Sequence, residues 1–293
     1  MSRKTVLITG CSDGGLGAAL AVAFHQNGWR VLATARNPKK MASLTAKGIE
    51  TLPLDIQDET SLKSCVEQAT KMTDSKLDML INNAGGGYNA PVTDISIPEA
   101  KNLYDLNVWA VVATIKAFTP LLIKNPNGAT IVNHTSCASV IALAFQGVYA
   151  SSKAAMALLT EALRHEMQPF NIKVVDLKTG RVSSNFQQNA PALGTQVLPA
   201  DSIFAPARDD VEMMLRGEAF TEGAMPAGMW ARKVYADLTK SNPPHAVWRG
   251  AQALLVWVSL FVPSSWLDGE RNKIVHMDVI GKKIQAARGK AKS

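Results

Sequence analysis

At 293 residues and 47% hydrophobic content, the chain is long enough to bury one large core, and doubly wound α/β chains of this length commonly fold as one domain. Its net charge of +7 sits at one end: residues 271–293 hold seven basic side chains and one acidic, the rest is nearly neutral, and no basic stripe interleaved with aromatics points to nucleic acid. Three cysteines without metal-ligand spacing argue against a disulfide framework or a metal centre. The opening Met1-Ser2-Arg3-Lys4 leads straight into a strand, so no signal peptide is expected and an intracellular, cytoplasmic setting is.

The first element carries the most information. Val6-Leu7-Ile8-Thr9-Gly10-Cys11-Ser12-Asp13-Gly14-Gly15-Leu16-Gly17 reads as a buried strand, a glycine-rich turn and a helix start. Without Cβ atoms, Gly10, Gly15 and Gly17 allow a tight turn and close approach of a pyrophosphate, which the free N–H groups and dipole of a helix N-terminus attract. Ser12 and Leu16 complete the candidate loop. Further apolar strand candidates follow at residues 30–33, 50–54, 79–82, 130–133 and 173–177, separated by segments of helical period such as 16–27 and 103–124. This alternation predicts a parallel sheet of six or seven strands with helices on both faces, and places ligands along the C-terminal strand ends. The pattern leaves open whether residues 273–279 form a seventh strand or a terminal helix.

In Tyr149-Ala150-Ser151-Ser152-Lys153 the phenol and the ammonium stand at i and i+4, on one face of a helix. Ser136 closes the apolar strand thirteen positions upstream. With these residues the chain resembles the classical short-chain dehydrogenase/reductases over residues 1–185. The motifs come in order: the Thr9-Gly10 loop, Asp55, Asn82-Asn83-Ala84-Gly85, Asn107, Ser136, and Tyr149 with Lys153.

The resemblance implies a doubly wound Rossmann fold with a C-terminal helical lid, a nicotinamide cofactor, and hydride transfer between it and a ketone or alcohol. Tyr149 would be the proton donor. Bringing a phenol from pKa 10 toward 7 takes about 4 kcal/mol of preferential phenolate stabilisation, which the Lys153 cation and an oxidised nicotinamide can supply. By the same resemblance Lys153 also holds the nicotinamide ribose, Ser136 bonds the substrate oxygen, and Asn107 anchors a water that relays protons to Lys153. Asp55 would bond the adenine amine, and Asn83, Ala84 and Gly85 would line the adenine ribose. The backbone at Val182 and the hydroxyl of Ser184 would hold the carboxamide. Ala35 stands where the family often has an acid for the ribose hydroxyls, and Arg36 follows, with Lys39 and Lys40 close by. A guanidinium suits a 2′-phosphate, so NADPH/NADP+ is the expected cofactor.

Several residues depart from the family. Asp13 would put a carboxylate near the phosphate, in a loop one residue longer than usual. Thr179 replaces a proline in Lys178-Thr179-Gly180-Arg181, and His134 and Cys137 flank Ser136. Arg181 reads either as a cation for an anionic substrate group or as a solvent-facing side chain, and the cysteines read as small buried residues.

Residues 1–293 are expected to form one domain, with a core at 1–185, a substrate lid at 186–245, and an apolar helix and basic tail at 246–293. The lid stretch carries Pro191, Pro199, Pro206 and Pro226 with Met213, Met214, Met225, Met229 and Trp230, which suit either a bulky apolar ligand or a Met-filled core. Residues 251–262 are apolar but too short for a membrane span of about 20 residues, leaving a buried or an interfacial helix. The basic tail reads as a solvated end or as a contact for anionic lipid.

A narrower resemblance, to fungal NADPH-dependent reductases of the 1-acyl dihydroxyacetone phosphate type, rests on four motifs: Thr9-Gly10-Cys11-Ser12, Thr34-Ala35-Arg36-Asn37-Pro38, Thr179-Gly180 and Trp248-Arg249-Gly250. It implies reduction of a bulky apolar ketone, peripheral contact with endoplasmic reticulum or lipid droplets, and, by family analogy, a homodimer or homotetramer. The alternatives are a ketoreductase or alcohol dehydrogenase acting on polyketide, terpenoid or steroid-type ketones, and a non-catalytic NADPH-binding protein.

Overall fold

The computed structural model describes residues 3–186, 197–218 and 222–290; Pro191, expected in the lid, and the last three residues of the tail lie outside them. Strand β1 (Thr5–Ile8) leads through the glycine loop into helix α1 (Leu16–Gln26), followed by β2 (Arg30–Ala35), the short α2 (Ala42–Thr45), β3 (Glu50–Pro53), α3 (Glu59–Met72) and β4 (Met79–Asn82). Helices α4 (Ile97–Tyr104) and α5 (Ala110–Ile123) run on from one another through a π turn at Asp105–Trp109. Strand β5 (Ala129–His134), helix α6 (Gly147–Glu166) and β6 (Ile172–Thr179) complete the expected core. The α4–α5 run matches a membrane span in length and composition, yet it is a core element, with Leu103, Leu106, Phe118, Leu121 and Leu122 buried.

Apart from the short pair β7 (Val182–Ser183) and β8 (Met225–Pro226), the sheet continues to β9 (Ala246–Arg249), and its seven parallel strands pair in the order β3-β2-β1-β4-β5-β6-β9. The outer strand, β9 (Ala246–Arg249), runs beside β6 with Asp176 opposite Ala246 and Thr179 opposite Arg249. The seventh strand therefore comes from residues 246–249, where an apolar helix was expected to begin, and not from 273–279, which are divided between the helices Asp268–Ile274 and Met277–Lys290. Three of its four residues are only half-buried, so no apolar run announces it in the sequence.

The sheet is buried on both faces, which is why its strands read as unbroken apolar runs. Val6 and Ile8 face α1 and the helix Ala227–Leu238, whereas Leu7 faces α3 and α5, because successive side chains alternate across a strand. The first of these layers closes on Trp230, fully buried and stacked on the His134 ring with centroids 5.4 Å apart and planes 22° apart. Trp230, which the sequence left open between a substrate lid and a Met-filled core, is thus a core residue. Met213 and Met214 likewise pack with Phe145, Leu198, Val275 and Ile280. The tail, expected as a solvated end or a contact for anionic lipid, forms as far as residue 290 the helix Met277–Lys290, anchored by buried Ile280 and by an ion pair from Lys283 to Asp210.

Truncating Trp230 to Ala would remove a fully buried indole and leave the His134 ring without its stacking partner. We expect a loss of about 3–5 kcal/mol, seen as a fall of roughly 10 °C in thermal midpoint.

Candidate active site

The order β2-β1-β4 places the switch in strand order between β1 and β4, and a cleft of about 480 Å³ opens above their C-terminal ends. Of the residues expected at the site, Gly10, Ser12, Gly15, Leu16, Arg36, Asp55, Asn83, Ala84, Gly85, Ser136, Tyr149, Lys153, Val182 and Ser184 line this cleft. Gly17 and Asn107 lie just behind it.

The glycine loop is a bare backbone cradle. Gly10 has φ +72°, and a Cβ on it would come within 2.8 Å of Ala84 Cα; a Cβ on Gly17 would lie 2.5 Å from the Gly10 carbonyl oxygen. No side chain caps α1, and its first turn carries no acid, so its N-terminal N–H groups face the cleft as an anion site. These features fit the pyrophosphate of a dinucleotide. Asp13, expected to oppose a phosphate, does not line the cleft: its carboxylate accepts from the Ser43 hydroxyl (2.5 Å) and backbone N–H (3.3 Å), fastening the lengthened loop.

A polar band holds the strand ends. Thr9 Oγ1 accepts from the backbone N–H groups of Asn83 and Ala84, both at 3.0 Å. The Asn83 amide nitrogen donates to the carbonyls of Thr9 (2.8 Å) and Gly10 (3.0 Å), which leaves Asn83 Oδ1 as the acceptor for His134 Nδ1 at 2.9 Å. His134 Nε2, the unprotonated nitrogen of that tautomer, then accepts from the Thr179 hydroxyl at 2.7 Å. Burial, with the Lys153 cation as a smaller cause, pushes the His134 pKa down to about 3, so the ring is neutral. The residue that replaces the family's proline is therefore His134's hydrogen-bond donor.

On the opposite wall α6 presents Tyr149 and Lys153. Lys153 Nζ donates to the His134 carbonyl at 3.0 Å and lies 6.0 Å from the Tyr149 ring centroid. Burial lowers its pKa to about 8, against the pull of Asp176. Burial also raises the Tyr149 pKa, and the hydrogen bond to Ser136 acts the other way. In this wall desolvation outweighs every neighbour; the lowering expected from the sequence was assigned to Lys153 acting together with an oxidised nicotinamide. The Ser136 hydroxyl itself accepts from Ala138 N–H at 3.1 Å and reaches the Thr179 carbonyl at 3.4 Å.

Asn107 lies buried in the π turn, with its side chain bonded to the neighbouring loop and to α6. Its Oδ1 accepts from Gly86 N–H (2.9 Å), and its amide donates to the Gly86 carbonyl (3.0 Å) and Ser152 Oγ (3.0 Å), so it holds the 85–86 loop against α6.

The sequence profile described as short chain dehydrogenase matches residues 4–192. The chain belongs to the short-chain dehydrogenase family. It is 44% identical to a short-chain dehydrogenase/reductase, GME11361, from Pestalotiopsis microspora over 98% of this chain and 99% of that one. It is 37% identical to the NADPH-dependent 1-acyldihydroxyacetone phosphate reductase of Schizosaccharomyces pombe, over 85% of this chain and 86% of that one. Its fold matches the crystal structure of a short-chain dehydrogenase from Streptomyces avermitilis with a TM-score of 0.74 at 23% identity, covering 96% and 98% of the two chains.

In this dehydrogenase the cleft continues past the expected residues. Its outer half is walled by Ile141, Leu143, Gln146, Phe186, Val256 and Ile274; Phe186, with Gly217 and Ala224, comes from the expected lid stretch, and Val256 and Ile274 come from the C-terminal segment. None of the four methionines and one tryptophan singled out between 213 and 230 lines it. Phe186 lies beside Tyr149, with ring centroids 6.2 Å apart. Arg181 also lines the cleft, its backbone clamped to Ala251 (N to O 3.1 Å, O to N 2.9 Å) and its buried Nε without a hydrogen-bond partner among the described residues. Cys11, Cys65 and Cys137 are buried, with thiols pushed up to about 12 mainly by desolvation, which makes them poor nucleophiles.

The Lys153 shift carries a pH signature. An unfolded lysine holds its proton to about 10.5, so between about pH 8 and 10.5 the unfolded chain binds more protons than the folded one, and stability from this group rises with pH. The stability of the wild type minus that of Lys153→Met should climb through that window in chemical denaturation. A flat difference would mean that Lys153 is not desolvated.

Proposed function

We propose that this oxidoreductase is an NADPH-dependent reductase of a bulky apolar ketone that bears an anionic group, with an acyl dihydroxyacetone phosphate-type lipid as the best match. The observation that carries it is the meeting of Ser136, Tyr149 and Lys153 at the junction between a bare phosphate cradle and an apolar outer cleft edged by Arg181, whose buried Nε has no hydrogen-bond partner among the described residues. Arg36 on the cleft wall, with Ala35 where an acid would bind ribose hydroxyls, supports the phosphorylated cofactor, as does the name of the Schizosaccharomyces pombe relative.

Bound NADPH supplies the hydride. Ser136 donates to the substrate oxygen and fixes one face of the carbonyl toward the nicotinamide position. Tyr149, kept protonated by burial, delivers its proton to that oxygen as negative charge develops there, and the Lys153 ammonium stabilises the phenolate left behind. Lys153 would also hold the nicotinamide ribose, while Asp55, Asn83, Ala84 and Gly85 would take the adenosine end and Val182 and Ser184 the carboxamide. Arg181 pairs with the phosphate of the substrate, and the apolar wall takes its acyl chain. The same wall would also accept a polycyclic ketone lacking an anion, which is the second reading; there Arg181 would have no ligand.

Two measurements test the scheme. NADPH oxidation over a panel of acyl ketone phosphates and polycyclic ketones should show turnover of the phosphates, reduced about 10²–10⁴-fold in Tyr149→Phe with NADPH affinity kept. Arg181→Met should raise KM for the phosphates roughly 10–100-fold and leave neutral ketones unaffected; turnover of neutral polycyclic ketones alone would select the second reading. Separately, Arg36→Ala should weaken NADPH binding by about tenfold or more without weakening NADH, read by cofactor fluorescence.

A further inference from the structure

The helix Ala253–Ser259 and the turn after it have two faces of opposite exposure. Val256 turns inward to the cleft, as does Ile274 further on. Outward stand Leu254 and Leu255, both 67% exposed, Phe261 at 73% and Trp266 at 76%, together with Trp257, Val258, Leu260 and Val262. Trp257 and Phe261 meet edge to face, 5.3 Å between centroids, and form one aromatic ridge. Single exposed apolar residues are normal on a protein surface; eight within thirteen positions are not.

We infer that this ridge docks the protein on a lipid surface, with the apolar outer cleft opening beside it. Three features select lipid over a second copy of the chain. First, residues 251–267 contain no charged side chain, and the Ser259 hydroxyl is turned back onto the Val256 carbonyl at 2.7 Å, so the face offers few of the hydrogen bonds that protein interfaces carry. Second, the exposed tryptophans at 257 and 266 are the amphipathic ring type that settles at a headgroup boundary. Third, charge follows immediately: residues 271–293 carry seven basic groups and one acidic, complementary to anionic headgroups. Arg271, Lys273 and Lys283 are neutralised by Asp268, Glu270 and Asp210, whereas Lys282 and Arg288 are exposed and in no ion pair among the described residues.

The docking does not depend on which ketone is reduced, and its test needs no turnover. Full-length protein is floated with vesicles of phosphatidylcholine, with and without phosphatidylserine, beside a Leu254→Glu/Phe261→Glu variant whose two positions lie outside the cleft lining. Circular dichroism melting checks its fold, and a Trp266→Ser variant serves as a milder second change. The wild type should float, more strongly with phosphatidylserine, and the double variant should lose at least about tenfold in partitioning while melting normally. Absence of flotation would overturn the inference, as would flotation undiminished in both variants, which would assign binding to the basic tail. A wild-type dimer that does not float and that the double variant converts to monomer would give the ridge to a second copy instead.

Discussion

A hydrogen-bonded band from Thr9 through Asn83 and His134 to Thr179 ties together the ends of β1, β4, β5 and β6, and the cleft floor takes its shape from it. Asn83 spends its amide on two loop carbonyls, so His134 must donate at Nδ1, and in the neutral ring Nε2 is then left to accept from the Thr179 hydroxyl. Burial enforces that neutrality, and the stacked Trp230 fixes the plane of the ring. The His134 carbonyl in turn receives the Lys153 ammonium, which sets that cation beside the ring. A protonated His134 would place a second charge beside it and break the acceptor link to Thr179.

Much of the architecture was legible because parallel strands buried on both faces leave apolar runs that few other structures produce. The glycine loop, Ser136, and the Tyr149–Lys153 pair could be read for a similar reason: each depends on spacing within one short segment. What could not be read depends on partners distant in sequence. His134 stood beside Ser136 without a role until Asn83 and Thr179 were seen on either side of it, and Asp13 was expected to face a phosphate because Ser43 lies thirty positions away. Composition left residues 213–230 open between an adaptable lid and a Met-filled core; Met214 and Trp230 are buried in the core, whereas Met229 is exposed. Strand β9 escaped because an edge strand need not be apolar.

The two halves of the cleft are built on different principles. The cradle half consists of strand ends and turns locked by backbone hydrogen bonds, where small changes meet backbone atoms at under 3 Å, as at Gly10 and Gly17. The outer half is assembled from segments after residue 140, chiefly through apolar side chains of Ile141, Leu143, Phe186, Val256 and Ile274. Shape there can change by substitution of side chains without disturbing the strand ends. That division places variation in ligand shape and constancy of the phosphate cradle on separate parts of the chain.

Strand β9 also has a consequence for how the molecule is made. Gly180 and Gly250 pack backbone to backbone, at a distance where a Cβ on Gly180 would sit 2.4 Å from the Ala251 carbonyl oxygen, so β6 and the segment entering the apolar ridge are joined as one seam. Because Thr179 pairs with Arg249, the seam can close only after the whole intervening chain has been synthesised. Until then β6 is an open edge, with the Asp176–Lys178 ion pair at its margin. Sheet completion and closure of the outer cleft are thus one late folding event of high contact order, and a nascent chain stopped short of residue 246 would have neither.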